Sequence, residues 1–342
     1  MAGFRASFIN GLQGVASAIP LPFLRFMTGQ RIVMPVYHLV SDQPVPHVNP
    51  LYSIKNTRDF IADLDFLLKH FTPVDLTQLI AATKGQVVLP RNAFFLSFDD
   101  GLREFHDVIA PILLQKGVPA TCFLNSDFID NRNLFFRYKV ALAAHAITTS
   151  PNLLKKPDVQ NWFTAHFDSS SNSSSLLTIR YSNRHELDKL LPLLEIDINA
   201  YLAEKQPYLT SNQILSLISQ GFHFGAHSCD HPEYSQISSA EQVRQTMDSL
   251  QYITQAFQLP YRAFAFPFTD FGADDAVFQA MHGKNAQTDI SFGCAGMKRD
   301  PWPQHFQRIP VEKEGLSAEK TIHSEYLYYL LKAPFGRNVT RR

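Results

Sequence analysis

Cysteine is scarce in this chain: Cys122, Cys229 and Cys294 are the only three among 342 residues. An odd, small set provides no disulfide framework and matches usage in a reducing compartment. An excess of one charge is also lacking. Lys plus Arg and Asp plus Glu number 31 each, so composition gives no basic face for nucleic acid. The basic stretch closing the chain, 331–342, is a tail and too short for a binding surface. No run of about 18 apolar residues occurs, which argues against a membrane-spanning helix. The N-terminus carries Arg5 and a mildly apolar stretch from Phe8 to Met27. Gly11, Gly14, Pro20 and Pro22 interrupt it, so it reads neither as a secretion-signal core nor as a span. These absences predict a cytoplasmic protein, with peripheral membrane contact through a short interfacial helix over residues 4–19 as a further option. Internal repeats are absent too.

What is present is a large aromatic interior and an alternating rhythm. Phe occurs 28 times and 45% of residues are hydrophobic, enough for a sizeable core. Strand-like runs at Ile32 to His38, Phe94 to Phe98, Ala120 to Leu124, Phe222 to Ala226, Ala263 to Phe266 and Asp289 to Phe292 alternate with helical spacing. Helices are predicted from Asp59 to His70 with Thr57 as cap, Glu104 to Lys116, Ser211 to Ser219, Ser239 to Phe257 and Ser317 to Leu331. Alternation of this kind implies parallel pairing, because parallel crossovers need a dozen or more residues. The rhythm breaks between 130 and 208. Here Phe135 to Ile147 and Glu186 to Glu204 read as helices, the second kinked at Pro192, joined through a flexible serine-rich stretch from Ser169 to Ser175. The fold predicted is α/β, a distorted and incomplete (β/α) barrel of about seven strands. It comprises an N-terminal segment 1–30, one domain over 31–330 with a mostly helical insertion at 130–208, and the tail.

Two places carry chemistry. Phe94-Phe95-Leu96-Ser97-Phe98 is a buried strand that ends in Asp99, Asp100 and Gly101. Adjacent carboxylates at a buried strand end repel each other and resist losing water, and a cation relieves both problems. His227 and His231 stand four apart, flanked by Gly225 and Pro232. Imidazoles suit zinc and similar ions, and one carboxylate completes a three-ligand catalytic set with a position left open. The zinc-protease helix needs Glu directly after its first His, whereas Ser228 stands there, so a strand-end loop is predicted instead. His223 extends the spacing backward and reads as a buried barrel histidine or as a residue facing the same interior. Cys229 reads as a small buried residue.

Together, Ser97-Phe98-Asp99-Asp100-Gly101 and His227-Ser228-Cys229-Asp230-His231-Pro232 resemble the signature of the polysaccharide deacetylase family of carbohydrate esterases, the NodB-like domain. Tyr37-His38 and Phe264-Ala265-Phe266-Pro267-Phe268 are similar to two further segments of that family. The resemblance covers about residues 30–125 and 210–315. It implies removal of acetyl groups from N-acetylated amino sugars of a glycan or glycolipid precursor. Asp100, His227 and His231 would hold a divalent metal (Zn²⁺, with Co²⁺, Ni²⁺ and Mn²⁺ as alternatives). Asp99 would be the general base, with His38, Pro267 and Phe268 at the sugar. Two departures stand out. The family often places an arginine on the base carboxylate from the aromatic-proline segment, where this chain has Ala265, with Arg262 nearby either as a substitute or as an exposed surface arginine. It also often ends in Leu-x-His, whose imidazole serves as general acid, and this chain has no such segment. Here His323, His305 and His38 are the options and none is assigned. A family member that binds glycan without turnover, and a metal hydrolase of another amide or an O-acetyl ester, are the alternatives. Oligomeric state is not readable.

Overall fold

In the computed structural model the described residues are 11, 14, 16–167, 172–312 and 315–340. The helix expected over residues 4–19 lies largely outside them. The described residues form eleven short strands: β1 Ile32–Val33, β2 Pro35–Tyr37, β3 Thr72–Pro73, β4 Ala93–Phe94, β5 Ser97–Phe98, β6 Thr121–Leu124, β7 His223–Ala226, β8 Ala263–Ala265, β9 Ile290–Gly293, β10 His305–Gln307 and β11 Ile309–Pro310. Eight form one sheet in the order β10-β9-β8-β7-β6-β5-β2-β11, and β1-β4-β3 form a smaller one. Every pair is parallel.

The two edges of the large sheet are neighbours in sequence. Only Arg308 separates β10 from β11, yet one pairs with β9 and the other with β2. The Arg308 amide donates to the Gly293 carbonyl, and the next amide, Ile309, donates to Met34 across the gap. One extended segment, 305–310, therefore serves both edges and nearly closes the sheet into a barrel. Counted as one stave, it makes seven around the ring, the distorted (β/α) barrel expected.

Register fixes where the chemistry lies. Tyr37 pairs with Phe98, Phe98 with Cys122, and Leu124 with Ala226. β2 ends level with β5, and β6 ends level with β7 two residues further on, so the residues that follow share one rim, the C-terminal face where parallel barrels place their sites. Inside the barrel, Phe95 stacks on Phe292 at 5.1 Å and Phe123 lies 5.3 Å from Phe292. Outside, helix Thr57–His70 buries Phe60, Leu64 and Leu67 against the sheet.

Local details depart from expectation for definable reasons. Asn56, not Thr57, caps the helix Thr57–His70, by accepting from the Asp59 amide. The segment expected as one helix from Glu104 starts as a wide π turn, Phe105–Ile109, and becomes α-helical over Ala110–Lys116. Pro111 has no N–H to give to the preceding turn. The predicted kinked helix from Glu186 is two helices, Leu187–Leu193 with Pro192 inside it and Ile198–Lys205, separated by a turn through left-handed Glu195 and an Asp197 cap on the second. Ser173–Leu176, expected as flexible, is a helical turn capped by Asn172. The rest of that connection, 168–171, lies outside the described residues. Helices Leu76–Thr83 and Pro157–His166 were not anticipated. Residues 130–208 are otherwise helical and enclose their own apolar cluster, which reaches the barrel through Leu39, Leu102 and Tyr208. No helix among the described residues is long and apolar enough to cross a membrane.

Candidate metal and catalytic site

Strand β5 is buried throughout, and Phe98 packs against Tyr37, Phe60 and Phe105. This packing drives the strand end inward and takes both acids with it, leaving Asp99 2% and Asp100 6% exposed. The chain then turns sharply through two left-handed residues, Asp100 (φ 73°) and Gly101 (φ 64°). Glycine is required at the second, where a Cβ would meet Leu124 Cδ2 at 2.7 Å. Asp100 pays the ordinary cost of a non-glycine residue in that region, of order 1–3 kcal/mol.

The histidines follow β7 in a tight loop in which Ser228 (φ 67°) and His231 (φ 61°) are also left-handed. The His231 amide donates to Ser228 Oγ at 3.1 Å. His227 Nδ1 lies 2.8 Å from the Ala265 carbonyl, which only accepts. That bond places the proton on Nδ1 and leaves the Nε2 lone pair free, an arrangement common in metal-ligating histidines. Asn125 Nδ2 donates to the His227 carbonyl.

The result is a convergence. His231 Nε2 lies 3.2 Å and His227 Nε2 3.6 Å from Asp100 Oδ1. Two ligands about 2.1 Å from one tetrahedral ion sit about 3.4 Å apart. Asp100 Oδ1 and His227 Nε2 are both buried and have no hydrogen-bond partner, an expensive state unless a cation supplies one. Burial lowers the His227 pKa to about 4, so its ring is neutral and able to ligate. Burial raises the Asp100 pKa, but His231, His38 and His227 outweigh it and hold the carboxyl well below its ordinary range. Donor types, separations and orphaned atoms all fit a divalent ion. A second group of His and Asp, Asp270, Asp300 and His305, also lies close together.

Asp99 is held by a residue that the motifs did not reveal. Arg308 Nη1 and Nη2 donate to Asp99 Oδ1 and Oδ2 at 2.6 and 2.7 Å, the bidentate fork that suits a carboxylate. Arg308 is fully buried, its guanidinium over the rings of Phe123 and Phe292. Burial disfavours the charged Asp99, but Arg308 and His227 outweigh it and lower its pKa. Arg262, read as a substitute arginine or as a surface one, is exposed and faces Gln287. The reason is physical: position 262 precedes β8 at the opposite end of the strand from the rim. The available signal was a charge inside the extended run His305 to Val311, since a buried arginine implies a partner.

His38 leaves β2 beside the acids. Its Nδ1 lies 2.7 Å from Glu312 Oε2, while Glu312 Oε1 accepts the amides of His38 and Leu39 at 2.7 and 2.8 Å. Burial lowers its proton affinity, but Glu312, Asp100 and Asp99 outweigh it and raise the pKa to about 9. Pro267 is buried and Phe268 is 45% exposed at the rim, its ring centroid 4.6 Å from that of His231. The other expected histidines lie elsewhere. His305 is held by Ser291 and Asp270. His323 is bonded to the Glu319 carbonyl on the outer helix Ala318–Lys332. His223 opens β7 at the end away from the rim, partly buried, its ring 6.0 Å from that of Tyr261. Cys229 is buried, its amide bonded to Gln245.

A family model described as polysaccharide deacetylase matches residues 87–285, more than half of the chain. No curated protein matches. Among solved structures, the fold is similar to the Streptococcus pyogenes deacetylase PplD in complex with acetate (TM-score 0.55, 14% identity, 86% of this chain and 97% of that one). It is similar also to IcaB from Ammonifex degensii (TM-score 0.53, 13% identity, 86% and 98%). A third likeness is to a de-N-acetylase from Aggregatibacter actinomycetemcomitans (TM-score 0.52, 16% identity, 85% and 99%). At these identities the likeness is one of fold. With the family match spanning both the paired acids and the histidine loop, the chain belongs to the polysaccharide deacetylase family, hydrolases of carbon–nitrogen bonds other than peptide bonds.

Proposed function

We propose that the protein is a divalent-metal-dependent hydrolase that removes acetyl groups from N-acetylated amino sugars of a glycan or glycolipid precursor. The observation that carries this reading is the convergence of Asp100 Oδ1, His227 Nε2 and His231 Nε2 beside an Asp99 locked by Arg308. These three side chains would hold the ion, zinc by donor type, with cobalt, nickel and manganese as alternatives. Such an ion supplies a Lewis acid that acidifies water and polarises a carbonyl.

The chain's own groups do the rest. Asp99 takes a proton from the attacking water as oxygen bonds to the acetamide carbon. Arg308 occupies one lone pair on each Asp99 oxygen and fixes the plane of the carboxylate, leaving a second lone pair to receive that proton. His38, charged at neutral pH, gives its proton to the departing nitrogen, so that the C–N bond breaks to acetate and a free amine. Glu312 holds the ring for this transfer. Phe268 and buried Pro267 shape the entrance beside His231. Arg308, and His38 with Glu312, weigh against the reading of a member without turnover, whose grounds were a missing arginine and a missing imidazole acid.

The test is metal analysis joined to acetate release from N-acetylglucosamine oligomers, with O-acetyl and non-sugar amide compounds alongside. Asp99→Asn is expected to keep its metal and to lose roughly 10²–10⁴-fold in rate. A wild-type protein without metal, or a variant with undiminished release, rejects the proposal. Turnover confined to the O-acetyl or non-sugar compounds reassigns the substrate.

A further inference from the structure

The helix Phe136–Thr149 opens the insertion, yet it is buried on nearly every side, Phe136, Tyr138, Val140, Ala141, Leu142 and Ala143 included. A segment that only shaped a barrel mouth would keep a solvated face. Its first turn instead reaches the acids. Tyr138 is 1% exposed, and its hydroxyl donates to Asp100 Oδ2 at 3.0 Å. The ring is set in place by Phe135 at 5.1 Å and His47 at 5.0 Å. Phe135, the residue before the helix, lies 4.5 Å from the His231 ring. One turn of the insertion thus touches two of the three candidate ligands, which come from different strand ends.

The bond has a consequence for coordination. A carboxylate has two oxygens, each with two acceptor sites, and a hydrogen bond to one of them fixes which oxygen is turned toward an ion. The Tyr138 hydroxyl draws Oδ2 toward the helix, and Oδ1 is the atom that faces both imidazoles without a partner. Asp100 is also held in a left-handed conformation that persists only where its surroundings impose it. We infer that Tyr138 is a positioning residue. It holds Asp100 as a one-oxygen donor, so the insertion is a working part of the metal centre and not only a specificity loop. The inference rests on the metal reading proposed above.

The experiment compares wild type, Tyr138→Phe and Tyr208→Phe for metal affinity by chelator competition and for the visible spectrum of the cobalt-loaded protein. Tyr138→Phe removes the hydroxyl alone. It is expected to weaken metal binding about 10–100-fold, the range for losing a partner of a ligand. It should also alter the cobalt bands, because the carboxylate is no longer held with Oδ2 turned toward the helix. Tyr208 sits in the same aromatic cluster, its hydroxyl accepting the Phe135 amide at 3.1 Å, and its loss should move neither readout. Wild-type affinity and spectrum in Tyr138→Phe overturn the inference and leave the metal reading standing. Equal weakening in Tyr208→Phe assigns the effect to loosened packing and also overturns it. A wild-type protein that takes up no metal sinks both.

Discussion

His38 and Glu312 set the pH behaviour of the proposed reaction. The imidazole pKa is raised to about 9, chiefly because Glu312 outweighs burial, so the acid form is present at neutral pH and lost above that value. Activity should therefore fall as pH rises through about 9. Glu312→Gln should move that limb down toward the ordinary histidine value near 6.5. A pH–rate profile of the two proteins checks this, and an unmoved alkaline limb contradicts it. The sign for stability follows from the same shift. A folded pKa above the unfolded one contributes stability in full below about 6.5, and that contribution is lost as pH rises through the folded value. At this scale the legible residues were those set in short contiguous patterns. Asp99 and Asp100 end an apolar run, and His227 and His231 bracket a turn. Arg308, Glu312 and Tyr138 were not legible in their roles, because each acts on a partner far away in sequence and nothing local marks the pairing.

Among elements, β7 is tightly constrained. Gly225 lies two residues before His227, and a Cβ there would approach Phe123 Cε1 at 2.6 Å and the Ala263 carbonyl at 2.8 Å. The second contact is backbone and cannot swing aside. Gly225→Ala should cost about 1–3 kcal/mol, the usual range for overpacking, and should reduce activity by shifting the strand that carries His227. Denaturant unfolding and acetate release measure the two effects, and a variant equal to wild type in both would show that β6 and β8 yield. Strand and helix alternation was readable because apolar runs, caps and glycine stops are local. The split of the helix after Pro192 and the π turn at Phe105 were missed for the converse reason. Prolines say where a helix loses a bond, but tertiary packing decides whether it bends, widens or ends.

For the whole molecule, the three candidate ligands come from two loops brought together only in the folded chain. A metal held there binds the native state and not the unfolded chain, so it should raise the thermal midpoint in a concentration-dependent way. The gain is about 2.7 kcal/mol at a free metal level one hundred times the Kd. Chelation should lower the midpoint and added Zn²⁺ restore it, as read by scanning fluorimetry or calorimetry. A midpoint indifferent to both contradicts the metal centre. The parallel architecture was legible from the alternation of elements. The closure was not, because β10 and β11 are three and two residues long and only space shows that they belong to opposite edges.

That shared stave has an outcome for how the molecule fails. If 305–310 peels away from Gly293 and Met34, the guanidinium departs with it and Asp99 is stranded as a bare buried ion. Mechanical integrity and chemical readiness would be surrendered at the same instant, well before the remaining barrel melts. The exchange rates of the amide protons at 308 and 309 would then report how often the enzyme is disarmed.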